Sequence, residues 1–149
     1  MDFVAKKFSE LSLVELYEII KSRSEVFLLE QNIICQDLDD VDYNSLHCFF
    51  FDSNLKRVTA YLRAFYIEKD VVSIGRVLTL EHRKGLGTKL MLRSFEEIKK
   101  QFNCKKITLH AQKQAVAFYE KLGFNIVSDE FLEEGIVHVT MEKRLVFDE

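Results

Sequence analysis

Val71-Val-Ser-Ile-Gly-Arg-Val-Leu-Thr-Leu80 runs into Glu81-His-Arg-Lys-Gly-Leu-Gly-Thr88 and from there into a stretch with helical periodicity. The first segment is rich in β-branched and apolar residues and predicts a strand over 71–80. In the last, Leu86, Leu90, Ser94, Ile98 and Phe102 share one face while Arg93, Glu96, Glu97, Lys99 and Lys100 fall on others, which predicts a helix over 86–102. A strand that turns through glycines into a helix start leaves several backbone N–H groups without partners at the positive end of the helix dipole. Such a turn binds phosphate. Glycine at 85 and 87 lets the backbone approach an anion that a Cβ would hold off, and Arg83 and Lys84 add positive charge beside it. The spacing is not that of a Walker A loop, and Leu90 occupies the third glycine position of a dinucleotide fingerprint. Taken alone, the two glycines fit a plain turn and helix cap equally well.

Upstream, Ser12-Leu-Val-Glu15 has the form of a capping box, and Leu13, Leu16, Tyr17, Ile20 and Phe27 keep to one face, predicting a helix over 13–28. Asp37-Leu-Asp-Asp-Val-Asp42 reads as an exposed loop. It is not a calcium loop, because Asp42 and Cys48 stand where Gly and Glu are needed. Strands are predicted at 47–52 and 57–67, with turns at Asp52-Ser-Asn54 and Glu68-Lys-Asp70. Downstream come a strand at 106–111 and a short helix around Ala115, Phe118, Tyr119 and Leu122 that stops at Gly123. Two further strands, 124–131 and 136–145, meet at Glu133-Glu-Gly135. A helix first, an antiparallel meander, then strand–helix crossovers describe a mixed α/β domain on one central sheet.

Composition narrows the function classes. The 149 residues are 48% hydrophobic and 30% charged, enough for one domain with a real core. With 21 Lys and Arg against 24 Asp and Glu, the charge of -3 offers no field for a polyanion, so nucleic acid is not the expected partner. No apolar run approaches the roughly 20 residues of a membrane span, and no basic stretch leads into an apolar one at the amino terminus. A cytoplasmic protein is expected. Cys35, Cys48 and Cys104 lack zinc-ligand spacing, which predicts no metal site, and read as reduced, buried small hydrophobes. Proline is absent, so no Pro-rich linker marks a domain seam.

A second motif gives the glycine turn its meaning. Gln112-Lys-Gln-Ala115-Val-Ala-Phe118-Tyr119-Glu-Lys121-Leu-Gly123-Phe124 follows the first loop by about thirty residues, and the pair resembles the GCN5-related N-acetyltransferase (GNAT) superfamily. His82-Arg-Lys-Gly85-Leu-Gly87 matches its Arg/Gln-x-x-Gly-x-Gly/Ala loop, with His82 in the Arg/Gln position. Segments Arg23 to Asn32, Tyr61-Leu-Arg63, Ile74-Gly-Arg-Val77, Ala111-Gln112 and Glu134-Gly-Ile-Val-His138 are similar to the ElaA-like branch along nearly the whole chain. Gln112 replaces the superfamily Asn in keeping with that branch, and Val137 stands where the branch usually has Pro.

The resemblance implies a single α/β (α+β) domain over 1–149: a central, mixed, mostly antiparallel sheet of about six to seven strands, flanked by helices. A splayed parallel strand pair would bind acetyl-CoA, the cosubstrate. Main-chain groups of Val77, Leu78 and Thr79 would meet the pantetheine, and Arg83, Lys84, Gly85, Leu86, Gly87 and Thr88 the pyrophosphate, with Gln112 and Phe118 beside them.

It further implies direct attack by a primary amine on the thioester, with the amide near Thr79 stabilising the oxyanion and Tyr119 giving a proton to the thiolate. Tyr119 also fits a core position with its hydroxyl satisfied. The base has several candidates: His47, His110, His138, Glu25 and Glu30, with His138 preferred and His110 reading more simply as a sheet residue. Arg23, Glu30, Gln31, Arg63 and Arg76 are the substrate-side candidates, and structural salt bridges explain the arginines as well. The acidic Asp129, Glu130, Glu133 and Glu134 suit a cationic acceptor or a solvated hairpin tip. The acceptor would be a small molecule or a peptide, the protein a monomer or homodimer. A CoA-binding sensor without transfer is the alternative.

Overall fold

The computed structural model describes residues 1–82 and 85–145. Among these residues eight strands make one sheet: β1 (Asp2–Lys7), β2 (Leu46–Asp52), β3 (Arg57–Glu68), β4 (Asp70–Thr79), β5 (Cys104–Gln112), β6 (Asn125–Ile126), β7 (Phe131–Glu133) and β8 (Ile136–Arg144). Their order is β1-β2-β3-β4-β5-β8-β6, with β7 also on β8, and only β4 and β5 run parallel. The mixed, mostly antiparallel sheet is as expected, but with eight strands rather than six or seven. The sheet begins before the first helix. β1 is half-buried along its middle without alternation, so it carries no periodic signal, and only its ladder to β2 reveals it.

The predicted strand 124–131 is another difference. It breaks into β6 and β7 because Val127 donates to the Thr140 carbonyl and the Ser128 hydroxyl then accepts from the Thr140 amide, so a side chain replaces the ladder there. The first helix is α1 (Leu13–Arg23), capped by Ser12 and Glu15 as the motif predicts. It continues as a π-helical segment over Ser24–Glu30.

Helices cover both faces of the sheet. The longer α2 (Leu86–Gln101) buries Leu86, Leu90, Met91, Phe95 and Ile98 against Cys48, Leu62, Ile74, Ile107 and Leu109. Leu90, Met91 and Ile98 have no exposed surface, and each contributes on the order of 1.5–3 kcal/mol through burial. On the opposite face, Ile19 and Val26 pack on Phe49, Val58, Tyr61 and Leu78. A short α3 (Val116–Lys121) follows β5.

Two irregularities open the sheet. β4 pairs with β5 only from Asp70 to Ser73, while β5 stays on β8 along Lys106–Gln112. β4 stays on β3, but Tyr61 faces Leu78 and Arg63 faces Gly75, so Arg76 and Val77 together oppose Leu62. This bulge, with Arg76 in the left-handed region at φ 53°, bends β4 away from its parallel neighbour. Beyond Ser73 the β5-facing edge of β4 has no strand partner among the described residues.

Candidate active site

A cavity of about 1000 Å³ occupies the splay between β4 and β5. Val77 lines it from the bulge, Gln112 from the end of β5, and Tyr119 from α3. At one end of this region the first intrahelical bond of α2 runs from the Lys89 amide to the Gly85 carbonyl, so the amides of Leu86, Gly87 and Thr88 precede the hydrogen-bonded ladder. Gly85 takes φ 68°, a left-handed turn. A Cβ at Gly87 would stand 3.3 Å from Phe118, so this glycine admits the α3 ring against the helix start. The Leu86 side chain is in the core and Thr88 is exposed. Arg83 and Lys84 lie outside the described residues.

Tyr119 is 7% exposed, its ring packed edge-on to Phe118 and Phe124. It belongs to the hydrophobic core, and its hydroxyl makes no hydrogen bond among the described residues. Burial pushes the phenol up to about 12.

His138 also lines the cavity. Its Nδ1 lies 2.7 Å from the Ile136 carbonyl, an acceptor only, so Nδ1 carries the proton and Nε2 the free lone pair in the neutral ring. His110 lines the cavity too, its Nδ1 2.8 Å from Glu133 Oε1, so it is more than a sheet residue. His47 is different: buried, it donates from Nε2 to the Asp42 carbonyl and accepts from the Tyr61 hydroxyl, and burial lowers its pKa. Both its nitrogens are committed.

The three candidate arginines converge on the acidic loop. Arg23, 1% exposed, binds Asp37 and Asp42, Arg63 binds Asp39 and Asp42, and Arg76 binds Asp37 and Asp39. The hydrogen bonds from Arg63 hold Asp39 down at about 2 against the opposing effect of burial. Burial raises Asp42, but the bonds from Arg23 and Arg63 outweigh it and keep the carboxyl low. The salt-bridge reading therefore describes the arginines, and the loop expected to be merely exposed is a fixed wall. Arg63 and Arg76 still line the cavity, and Arg23 does not.

Gln31 lines the cavity and accepts from Gln112 at 3.0 Å, joining the end of the first helical segment to the end of β5. Glu30 instead pairs with His82 at 2.9 Å, and Glu25 with Arg57 at 2.8 Å, so neither faces the cavity. Glu130 pairs with Lys113. Cys48 and Cys104 are buried, burial pushing Cys48 up to about 12, but Cys35 is exposed on the cavity wall, contrary to expectation. From the sequence Glu133 stands out only within an acidic cluster, and Asp37, Asp39 and Asp42 only as an exposed acidic loop. The signal for the loop was its alternating acids, matched by three arginines on separate elements.

The family model for the acetyltransferase (GNAT) domain matches residues 41–145. The chain belongs to the GNAT family. Within it, this acetyltransferase is ElaA-like: it is 32% identical to ElaA of Escherichia coli over 142 residues, 93% of each chain. The crystal structure of E. coli ElaA superposes with TM-score 0.89 at 29% identity over 96% of this chain and 99% of that one. An acyl-CoA N-acyltransferase from Pseudomonas aeruginosa gives 0.88 at 31% identity over 96% and 99%. An aminoglycoside 6'-N-acetyltransferase complexed with coenzyme A shares the fold at TM-score 0.75 and 12% identity, over 98% of this chain and 99% of that one. As a GNAT enzyme this acetyltransferase catalyses acyl transfer with an acyl-CoA cosubstrate. No helix among the described residues is long and apolar enough to cross a membrane. Among the same residues no cluster has the makeup of a metal site.

Proposed function

We propose that the protein transfers an acetyl group from acetyl-CoA to a primary amine by direct attack, with Tyr119 as acid and His138 as base. The observation that carries this is Tyr119, a nearly buried side chain whose hydroxyl has no hydrogen-bond partner among the described residues, in the wall of the cavity that His138 also lines.

The cosubstrate is held mainly by the main chain. The free edge of β4 at Val77, Leu78 and Thr79 meets the pantetheine as an added strand would, the Leu78 side chain remaining in the core behind it. The amides of Gly85, Leu86, Gly87 and Thr88 take the pyrophosphate, with Arg83 and Lys84 contributing charge. Gln112 lines the cleft, and Phe118 packs against Gly87 at the start of α2. On the acceptor side are Gln31, Arg63 and Arg76, the arginines setting the wall through the acidic loop rather than offering free charge.

His138 Nε2 takes one proton from the acceptor ammonium, and the freed pair on nitrogen attacks the thioester carbon. The Thr79 amide stabilises the oxyanion. As the C–S bond breaks, Tyr119 gives its proton to sulfur and regains one from the nitrogen of the new amide. One proton is released per turnover.

The test is thiol release from acetyl-CoA across a panel of polyamines, amino sugars, aminoglycosides and amino-terminal or lysine peptides. Tyr119→Phe should keep acetyl-CoA binding and lose most of the release. A variant that keeps the full rate removes Tyr119 from the chemistry, and a wild type that binds without releasing thiol on any acceptor favours a CoA sensor.

A further inference from the structure

One carboxylate reaches both histidines of the cavity. Oε1 of Glu133 accepts from His110 Nδ1 at 2.8 Å, and Oε2 lies 3.5 Å from His138 Nε2. The three strands involved are adjacent: β8 lies between β5 and β7, with His138 opposite Gln112 on one side and Phe131 on the other. β7 is only three residues long, and its Phe131 and Glu133 project to the same face. Phe131 stacks on His138 at 6.1 Å and 23° and meets His110 edge-on at 5.1 Å. The short strand thus supplies a ring that fixes the plane of His138 and a carboxylate beside its Nε2. The cations lining the cavity are paired elsewhere, Lys106 with Glu142 and Arg63 and Arg76 with the acidic loop. Among the described residues none of them binds Glu133.

We propose that Glu133 is a positioning residue for His138. It balances the positive charge that appears on the imidazole when Nε2 takes a proton from an acceptor ammonium. This rests on His138 being the base. In the step an N–H bond of the ammonium breaks, its electron pair stays on the amine nitrogen, and an N–H bond forms at Nε2. Glu133 remains a carboxylate, and nothing is oxidised or reduced. His110, 50% exposed in its side chain, tethers the other oxygen and keeps the carboxylate over β8.

Two small acceptors separate this role from a structural one. Methylamine is a cation at pH 7 and must lose a proton before it attacks, whereas hydroxylamine is already neutral. Thiol release from acetyl-CoA is followed with each for wild type, Glu133→Gln, Glu133→Asp and His138→Gln, with thermal melts as a check on folding. His138→Gln should lower kcat with methylamine about 100-fold and Glu133→Gln about tenfold, each with the KM for acetyl-CoA within about twofold. With hydroxylamine both should stay within about threefold of wild type, and Glu133→Asp should recover part of the methylamine rate. Equal losses with the two nucleophiles, or an unchanged methylamine rate in Glu133→Gln when His138→Gln has lost it, overturns the role of Glu133. An unchanged methylamine rate in His138→Gln, or no methylamine-dependent release in wild type, overturns the base assignment beneath it.

Discussion

The Phe118 ring rests on Gly87 so closely that a β-carbon there would stand 3.3 Å from Phe118 Cζ and 3.7 Å from Thr79 Cγ2. Phe118 in turn packs edge-on to Tyr119 at 5.1 Å. The start of α2, the end of β4 and the proposed acid therefore form one packed unit.

Gly87→Ala tests that unit. Alanine is worth up to about 1 kcal/mol over glycine in a helix, and overpacking costs about 1–3 kcal/mol, so the two nearly offset. The melting temperature should move by only a few degrees. Activity should respond more, since a shift of Phe118 is passed to Tyr119; thiol release is expected to fall about tenfold. An alanine variant with wild-type turnover would show that the contact does not position the tyrosine.

Tyr119 carries its own pH signature. Burial raises its pKa to about 12, above the usual phenol value, so the proton is retained throughout the range below pH 10 and lost only as pH rises through about 12. Acetyl transfer measured from pH 7 to 10 should show no alkaline loss that Tyr119→Phe removes. The same variant should turn over about 100-fold more slowly while binding acetyl-CoA as wild type does. An alkaline limb near pH 9 present in wild type and absent from Tyr119→Phe would contradict the burial argument.

Much of this was legible in the sequence because local patterns decide it. The capping box at Ser12, the apolar stripe of α2 and the turns after Asp52 and Glu68 lie where their spacing puts them. The two motifs that carry the GNAT resemblance meet in space through Gly87 and Phe118. What stayed hidden depends on distant partners. β1 is stabilised by its ladder to β2, and the break at Ser128 by a hydroxyl that reaches Thr140 across the sheet. Arg23, Arg63 and Arg76 resemble substrate ligands until their common target, the loop at 37–42, is seen between them.

That loop makes the fold acid-sensitive. Asp39 is held at about 2 and Asp42 is also depressed, so their stabilising contribution is present above the ordinary carboxylate range and is lost as pH falls through the folded-state values. The melting temperature should drop steeply between about pH 4 and 2, and less steeply in Asp39→Asn. Identical slopes in the two proteins would show that the ion pairs do not govern acid unfolding.

Asp42→Ala removes an oxygen shared by Arg23 at 2.6 Å and Arg63 at 3.1 Å. Breaking a buried pair by deleting one partner costs about 3–5 kcal/mol, which lowers the melting temperature by about 10 °C in a domain of this size. A loss of only a degree or two, measured by calorimetry, would mean that Asp37 and Asp39 suffice.

Calorimetric titration of the wild-type protein with acetyl-CoA tests the splayed cleft and its helix amides most directly. Saturable one-site binding with a Kd of about 1–100 μM is the expected result. No heat at millimolar acetyl-CoA would contradict the assignment of that cleft as the acyl-CoA site.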